Sequence, residues 1–172
     1  MRGMPHGRQS LRIRISGPMT MNYALIDAAS RPDIVHIIRS HAGRDYARAL
    51  FERQPEARHA SLGPWLLHVE AQPSLRGVLQ TLEHVPGAVT LLEADVEMDA
   101  LFLHLESRLD LRLADGSLAM LRFWDGRAIH RLWQVLTDSQ RHALMGPVSH
   151  WSFRINGRAV EKRRPKLEAT DA

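Results

Sequence analysis

The sequence predicts an α/β fold: a mixed sheet with alternating strands and helices and one antiparallel hairpin, built as one domain or two small packed lobes. Three observations predict it. Short apolar runs such as Tyr23-Ala24-Leu25-Ile26 and Ala88-Val89-Thr90-Leu91-Leu92 have the length and continuity of buried strands. Between them lie apolar stripes at helical spacing, for example Leu75, Val78, Leu79 and Leu82. Asp115-Gly116, set between two alternating stretches, marks a hairpin turn, because glycine tolerates the positive φ such turns demand.

Taken in order, the first strand is Tyr23 to Asp27. Ser30-Arg31-Pro32-Asp33 then offers helix-start chemistry: a hydroxyl cap, a proline in the first turn, and a carboxylate at the positive end of the helix dipole. Ile34, Val35, Ile37 and Ile38 give that helix its apolar face, and Gly43 ends it. Ala47 to Phe51 reads as a second strand and Pro55-Glu56-Ala57 as a helical turn. Gly63-Pro64 breaks the chain before the strand Trp65 to Val69. A helix over Leu75 to Leu82 stops at Pro86-Gly87, and a strand covered on both faces follows. Met98, Leu101, Phe102, Leu105 and Leu109 mark another helix. From Leu109 the period changes to that of a strand, which turns at Asp115-Gly116 and returns over Leu118 to Trp124. Ile129, Leu132, Trp133 and Leu136 stripe a further helix. Thr137-Asp138-Ser139-Gln140 is a capping box opening one more, and Val148 to Ile155 is the last predicted strand.

With 172 residues, 44% hydrophobic and 24% charged, the chain has the composition of a globular protein able to bury most of its apolar surface. It has no cysteine, which removes disulfides and thiolate metal sites and fits a reducing cytoplasm. No apolar run approaches the ~18 residues of a membrane span, and no apolar stretch follows the early arginines as a signal peptide requires. The formal charge of +4 is unevenly placed. Residues 1–20 hold four arginines and no acid. Residues 154–172 hold six Lys/Arg against three acids, which leaves the body about −3. The division expected is a flexible basic leader at 1–20, with weak alternation at Leu11, Ile13 and Ile15, a body at 21–153, and a basic C-terminal tail at 154–172.

Catalytic patterns are weak throughout. The ten histidines form neither His-Glu-x-x-His nor His-x-His, so scattered structural imidazoles are expected and no metal site. Glu93, Asp95, Glu97 and Asp99 have the oxygen ligands of a divalent-cation site, but they fall where a strand turns into a helix, and alternate spacing spreads them around its axis. There is no Gly-x-Ser-x-Gly elbow and no phosphate-binding glycine loop. A hydrolase using the carboxylates around Asp95 ranks last, and no cofactor is expected. The most suggestive polar cluster is Arg122, Trp124, Asp125 and Arg127. On a strand Arg122 and Trp124 would share a face and Phe123 the other. Two readings stay open: a structural corner in which Asp125 caps a helix, or an Arg/Trp rim of a protein interface. Trp65, Trp133 and Trp151 are expected in the core.

Several segments together resemble one known family. They are Tyr23-Ala-Leu-Ile-Asp27, Leu50-Phe51-Glu52, Pro55-Glu56-Ala57, Gly63-Pro64-Trp65-Leu66, Leu92-Glu93-Ala94-Asp95, Leu111 to Arg127, and Gly146-Pro147-Val148 with Trp151. In this order and spacing they resemble the type VI secretion effector adaptors, or Tap/TEC chaperones, over about residues 21–153. The chain departs from the family's usual Asp-Pro-Arg at Asp125-Gly126-Arg127, and from Asp-Gly-Ala at Asp27-Ala28-Ala29. The resemblance implies a non-enzymatic cytoplasmic loader. Its partners would be the N-terminal region of a cognate effector toxin and the C-terminal region of the VgrG spike, with no membrane and no nucleic acid. The alternative is a nucleic-acid-binding accessory protein using the basic termini, whose binding would weaken steeply with salt.

Overall fold

The computed structural model describes residues 21–167. The strands are β1 (Met21–Asp27), β2 (Ala47–Ala49), β3 (Pro64–His68), β4 (Val89–Ala94), β5 (Asp110–Arg112), β6 (Leu118–Met120), β7 (Val148–Ile155) and β8 (Arg158–Arg163). The α-helices are α1 (Ile34–His41), α2 (Arg76–Leu82), α3 (Met98–Glu106), α4 (Gly126–Trp133) and α5 (Asp138–Met145), with a 3-10 helix at Pro55–Leu62. Six strands form one sheet in the order β2-β3-β1-β4-β7-β8, and β5-β6 stand apart as a two-stranded hairpin. The α/β class and the alternation of elements are as predicted. Every described strand pairing is antiparallel.

The sheet lies between two helical layers. Successive side chains of a strand point to opposite faces, and here both faces are apolar. Tyr23 and Leu25 of β1, Leu92 and Ala94 of β4, and Trp151 and Phe153 of β7 pack with Leu101, Phe102 and Leu105 of α3, Ile129 of α4, and Leu144 and Met145 of α5. Ala24 and Ile26 of β1, with Val89 and Leu91 of β4, pack on the other side with Ile34, Val35 and Ile38 of α1 and Leu79 and Leu82 of α2. The predicted lobes are thus two cores on opposite faces of one sheet. Trp65 and Trp151 are buried as expected. Trp133 is half-buried, with Arg141 and Lys162 against its ring at 5.4 and 5.6 Å.

Four local expectations are corrected. Ser30 does not cap α1: its hydroxyl donates to the Asp27 carbonyl at 2.6 Å, while Asp33, at the N-cap position, pairs with Arg31 at 2.9 Å instead of capping. Glu97 likewise sits at the N-cap of α3 without a side-chain cap bond. The return strand of the hairpin ends at Met120, because the chain then turns inward to bury Phe123 and Trp124 together, which neighbouring positions on one strand face cannot do. The segment read as a tail from residue 154 contains the end of β7 and all of β8. The leader at 1–20 lies outside the described residues. The capping box is as predicted: Thr137 accepts from the Gln140 N–H at 3.2 Å, and the Gln140 side chain accepts from the Thr137 N–H at 2.8 Å.

Two tight contacts lock helices to the core. A Cβ on Gly126, the first residue of α4, would lie 2.6 Å from the Phe153 ring, so only glycine lets α4 approach β7 this closely. Gly126→Ala is expected to destabilise the fold by about 1–3 kcal/mol, read as a lower midpoint in urea with an unchanged slope. His104 of α3 bonds the Leu144 carbonyl at 2.9 Å, its Nε2 as donor in the neutral form, and so ties α3 to the end of α5. Burial lowers the pKa of His104 below its ordinary value. The unfolded chain therefore takes up this proton more readily than the native one, so stability is full above about pH 6.5 and is lost as pH falls below it. His104→Gln should flatten that part of the pH-stability profile.

Candidate protein-interaction site

The predicted cluster forms where the chain leaves the hairpin and enters α4. Phe123 lies edge-on to Trp124 at 5.7 Å between ring centroids and stacks on Trp151 at 6.4 Å. Phe51 meets Trp124 edge-on at 5.7 Å from the other side. Both residues of the pair are buried, and the Trp124 carbonyl accepts a bond from the Thr90 hydroxyl at 2.9 Å, which pins this corner to β4. The chain must then reverse into α4, and Asp125 manages the reversal. Its Oδ1 accepts from the Arg127 N–H at 2.9 Å, capping the helix, and from Arg127 Nε at 3.0 Å, while Oδ2 accepts from Arg127 Nη2 at 2.8 Å.

A second carboxylate, Asp27 at the end of β1, faces the same place. Arg122 Nη2 stands 3.6 Å from Oδ2 of both Asp27 and Asp125 and so bridges them. The two acids respond differently. Burial raises the Asp27 pKa, with the Ala29 N–H and the nearby arginines only partly offsetting it. Burial also opposes ionisation of Asp125, but the side-chain and backbone bonds from Arg127 outweigh it and hold this carboxyl below its usual value. Gly87 closes the corner from the α2–β4 loop: with φ of +76°, it would carry a Cβ 2.7 Å from Asp125 Oδ1.

The structure therefore brings Arg122, Trp124, Asp125 and Arg127 together, but in unequal roles. Trp124 is 4% exposed and Asp125 5%, so neither presents its side chain to a partner. The side chains of Arg122 and Arg127 are about half exposed, each anchored at its inner edge by a carboxylate. The outward chemistry of the corner is thus a pair of fixed guanidinium groups with donors to spare for carboxylates. A shallow cleft of about 210 Å³ continues from Arg127 past His130, Arg131 and Arg154. Asp27, Gly87 and Arg154 were not picked out by sequence reasoning, since they come from β1, the α2–β4 loop and β7 and share no local pattern, whereas Arg131, also missed, lies one turn after Arg127 on α4.

The other candidates do not converge. Asp99 pairs with Arg48 at 3.0 Å, and Glu93 lies 3.5 Å from His150, which in turn is 3.2 Å from Glu161. Among the described residues, no group of three or more His, Asp or Glu side chains is placed to hold a metal ion. The hairpin leaves Leu111, Leu113, Leu118 and Met120 between 42% and 61% exposed. The register pairs Leu118 with Arg112 and Met120 with Asp110, so Leu111 and Leu113 lie on one face of the hairpin and Leu118 and Met120 on the other.

Asp125→Ala removes the α4 cap and leaves Arg127 and Arg122 without their shared acid. It is expected to destabilise the protein by about 2 kcal/mol in chemical denaturation, with Asp125→Asn, which keeps an acceptor for the Arg127 N–H, losing clearly less.

Neither the comparison with curated proteins nor that with solved structures returns a match. A family model described as a domain of unknown function (DUF4123) matches residues 22–143, from β1 into α5, and so covers the aromatic corner and the hairpin. With well over half of its length inside that match, the chain belongs to the DUF4123 family, which is generally linked to type VI secretion effector adaptors.

Proposed function

We propose that this protein is a cytoplasmic adaptor of a type VI secretion system, which binds the N-terminal part of a cognate effector and loads it onto the C-terminal region of the VgrG spike without catalysing a reaction. The family match over residues 22–143 carries the reading. Two surface features support it. The hairpin exposes Leu111 and Leu113 on one face and Leu118 and Met120 on the other, apolar side chains of the kind that mark a protein contact. It runs directly into Arg122, whose half-exposed guanidinium, with that of Arg127, adds the residue type enriched in such contacts. Among the described residues, no helix is long and apolar enough to cross a membrane.

The test is co-expression of the full chain with the effector's N-terminal region and, separately, with the spike's C-terminal region. Both are expected to be retained in a pull-down without added nucleotide or metal, and retention of neither overturns the reading. Arg122 bridges two carboxylates only at its inner edge, so Arg122→Ala should cost less stability than Asp125→Ala while weakening capture of one partner about tenfold. Titration calorimetry against each partner separately would identify which one the corner faces.

A further inference from the structure

The sheet has two edges, and they differ. The β2 edge is three residues long, whereas the β8 edge runs six residues, Arg158–Arg163, and no described strand pairs with its outer side. The register shows which backbone groups that side presents. Ile155 and Arg158 close a two-residue turn at Asn156 and Gly157, both with positive φ (50° and 76°), as a tight hairpin of this twist requires. At the far end the Arg164 N–H donates to the Ser149 carbonyl at 3.0 Å. Residues 158, 160, 162 and 164 therefore bond inward to β7. The N–H and C=O groups of Ala159, Glu161 and Arg163 point to the open edge. Those three residues are also exposed, while Val160 and Lys162 turn toward the core, Lys162 lying over the Trp133 ring.

Charge decides what such an edge accepts. Between residues 158 and 166 there are five cations, Arg158, Lys162, Arg163, Arg164 and Lys166, against Glu161 alone. A second copy of this edge would bring like charges together, and residues 1–20, with four arginines and no acid, carry the same sign. An acidic strand would meet Arg158 and Arg163 toward the two ends of this edge, with Glu161 between them engaged by His150 and Arg163. β8 also lies outside residues 22–143, the segment shared with the family model, which fits a surface that selects one partner rather than one common to all members.

We propose that the outer edge of β8 takes up an extended acidic segment of the partner polypeptide as a seventh strand, held by the backbone groups of residues 159, 161 and 163 and selected by the flanking basic side chains. This rests on the adaptor reading, and names the mode and chemistry of one of its contacts.

The experiment uses the full chain and two synthetic peptides, one alternating glutamate with valine and the other lysine with valine, followed by amide hydrogen exchange. The glutamate peptide is expected to slow exchange at residues 159, 161 and 163 and to bind more weakly as salt rises; the lysine peptide is expected to do neither. Ala159→Pro removes an outward N–H and leaves the β7–β8 bonds intact, and should weaken glutamate-peptide binding about tenfold. The double variant Arg158→Glu, Arg163→Glu should reverse the preference between the peptides. Equal binding of both peptides, protection confined to other residues, or protection of 159, 161 and 163 in the free protein would each overturn the proposal. Effector and spike capture are scored separately in the same variants. If the unaltered chain captures neither effector nor spike, the adaptor reading fails. If Ala159→Pro captures both as well as the unaltered chain, only the strand proposal fails.

Discussion

The structure depends on burying both faces of two neighbouring strands, β1 and β4. Tyr23 and Leu25 enter one core while Ala24 and Ile26 enter the other, and Leu92 and Ala94 part from Val89 and Leu91 in the same way. A slip of one residue would exchange Tyr23 with Ala24 and put a phenol where α1 leaves room for a methyl group. Register is thereby fixed from both sides at once. The Tyr23 hydroxyl adds a bond to the Val96 carbonyl at 2.8 Å, and burial, with Glu97 and Glu70 nearby, pushes its pKa up to about 12, so this donor stays protonated. The interior tolerates some polar loss in exchange. Among the described residues, the indole N–H groups of Trp65 and Trp151 are buried without an acceptor.

The aromatic corner follows from that frame. With β4 held between two helical layers, the chain leaving the hairpin must cross the sheet end to reach α4. Phe123 and Trp124 fill the gap on the α3 side as consecutive residues, which is possible only off the strand path. The reversal leaves the N-terminal N–H groups of α4 inside, and Asp125 is the acid that meets them. Its charge is then balanced by Arg127 and by Arg122, which Asp27 also attracts. The two arginines reach solvent because their job inside needs only one edge of each guanidinium. Trp124 and Asp125 are thus the structural corner, and only the two arginines present charge at the surface.

What the sequence disclosed was whatever depends on local pattern. β1 and β4 could be read from unbroken apolar runs, α5 from Thr137 and Gln140, and the hairpin from Asp115-Gly116. Where several groups compete for one partner, pattern failed: Ser30 is spent on the Asp27 carbonyl and Asp33 on Arg31. β8 was hidden because an edge strand needs only one inward apolar residue. Val160 alone, within Arg-Ala-Val-Glu-Lys-Arg, looks like a solvated tail. The candidate site was half legible. Its four named residues do meet, but Asp27, Gly87 and Arg154 reach it through long-range pairing that no spacing rule encodes.

The basic content of β8 bears on the whole molecule. A strand of six residues with one open edge is a standing invitation to aggregate, and basic side chains are one of the few remedies that leave its backbone groups accessible. A proline or a covering helix would have closed the edge to every strand, whereas charge closes it only to strands of the same sign. The positive charge of this chain sits mainly at its two ends, so self-pairing and pairing with residues 1–20 are both disfavoured by one arrangement. The selectivity weakens as salt screens the charges, but the backbone geometry that would receive a strand does not. Protection against the wrong strand and recognition of the right one thus come from the same residues. That is the economy the proposed adaptor would require, holding another polypeptide without joining its own kind.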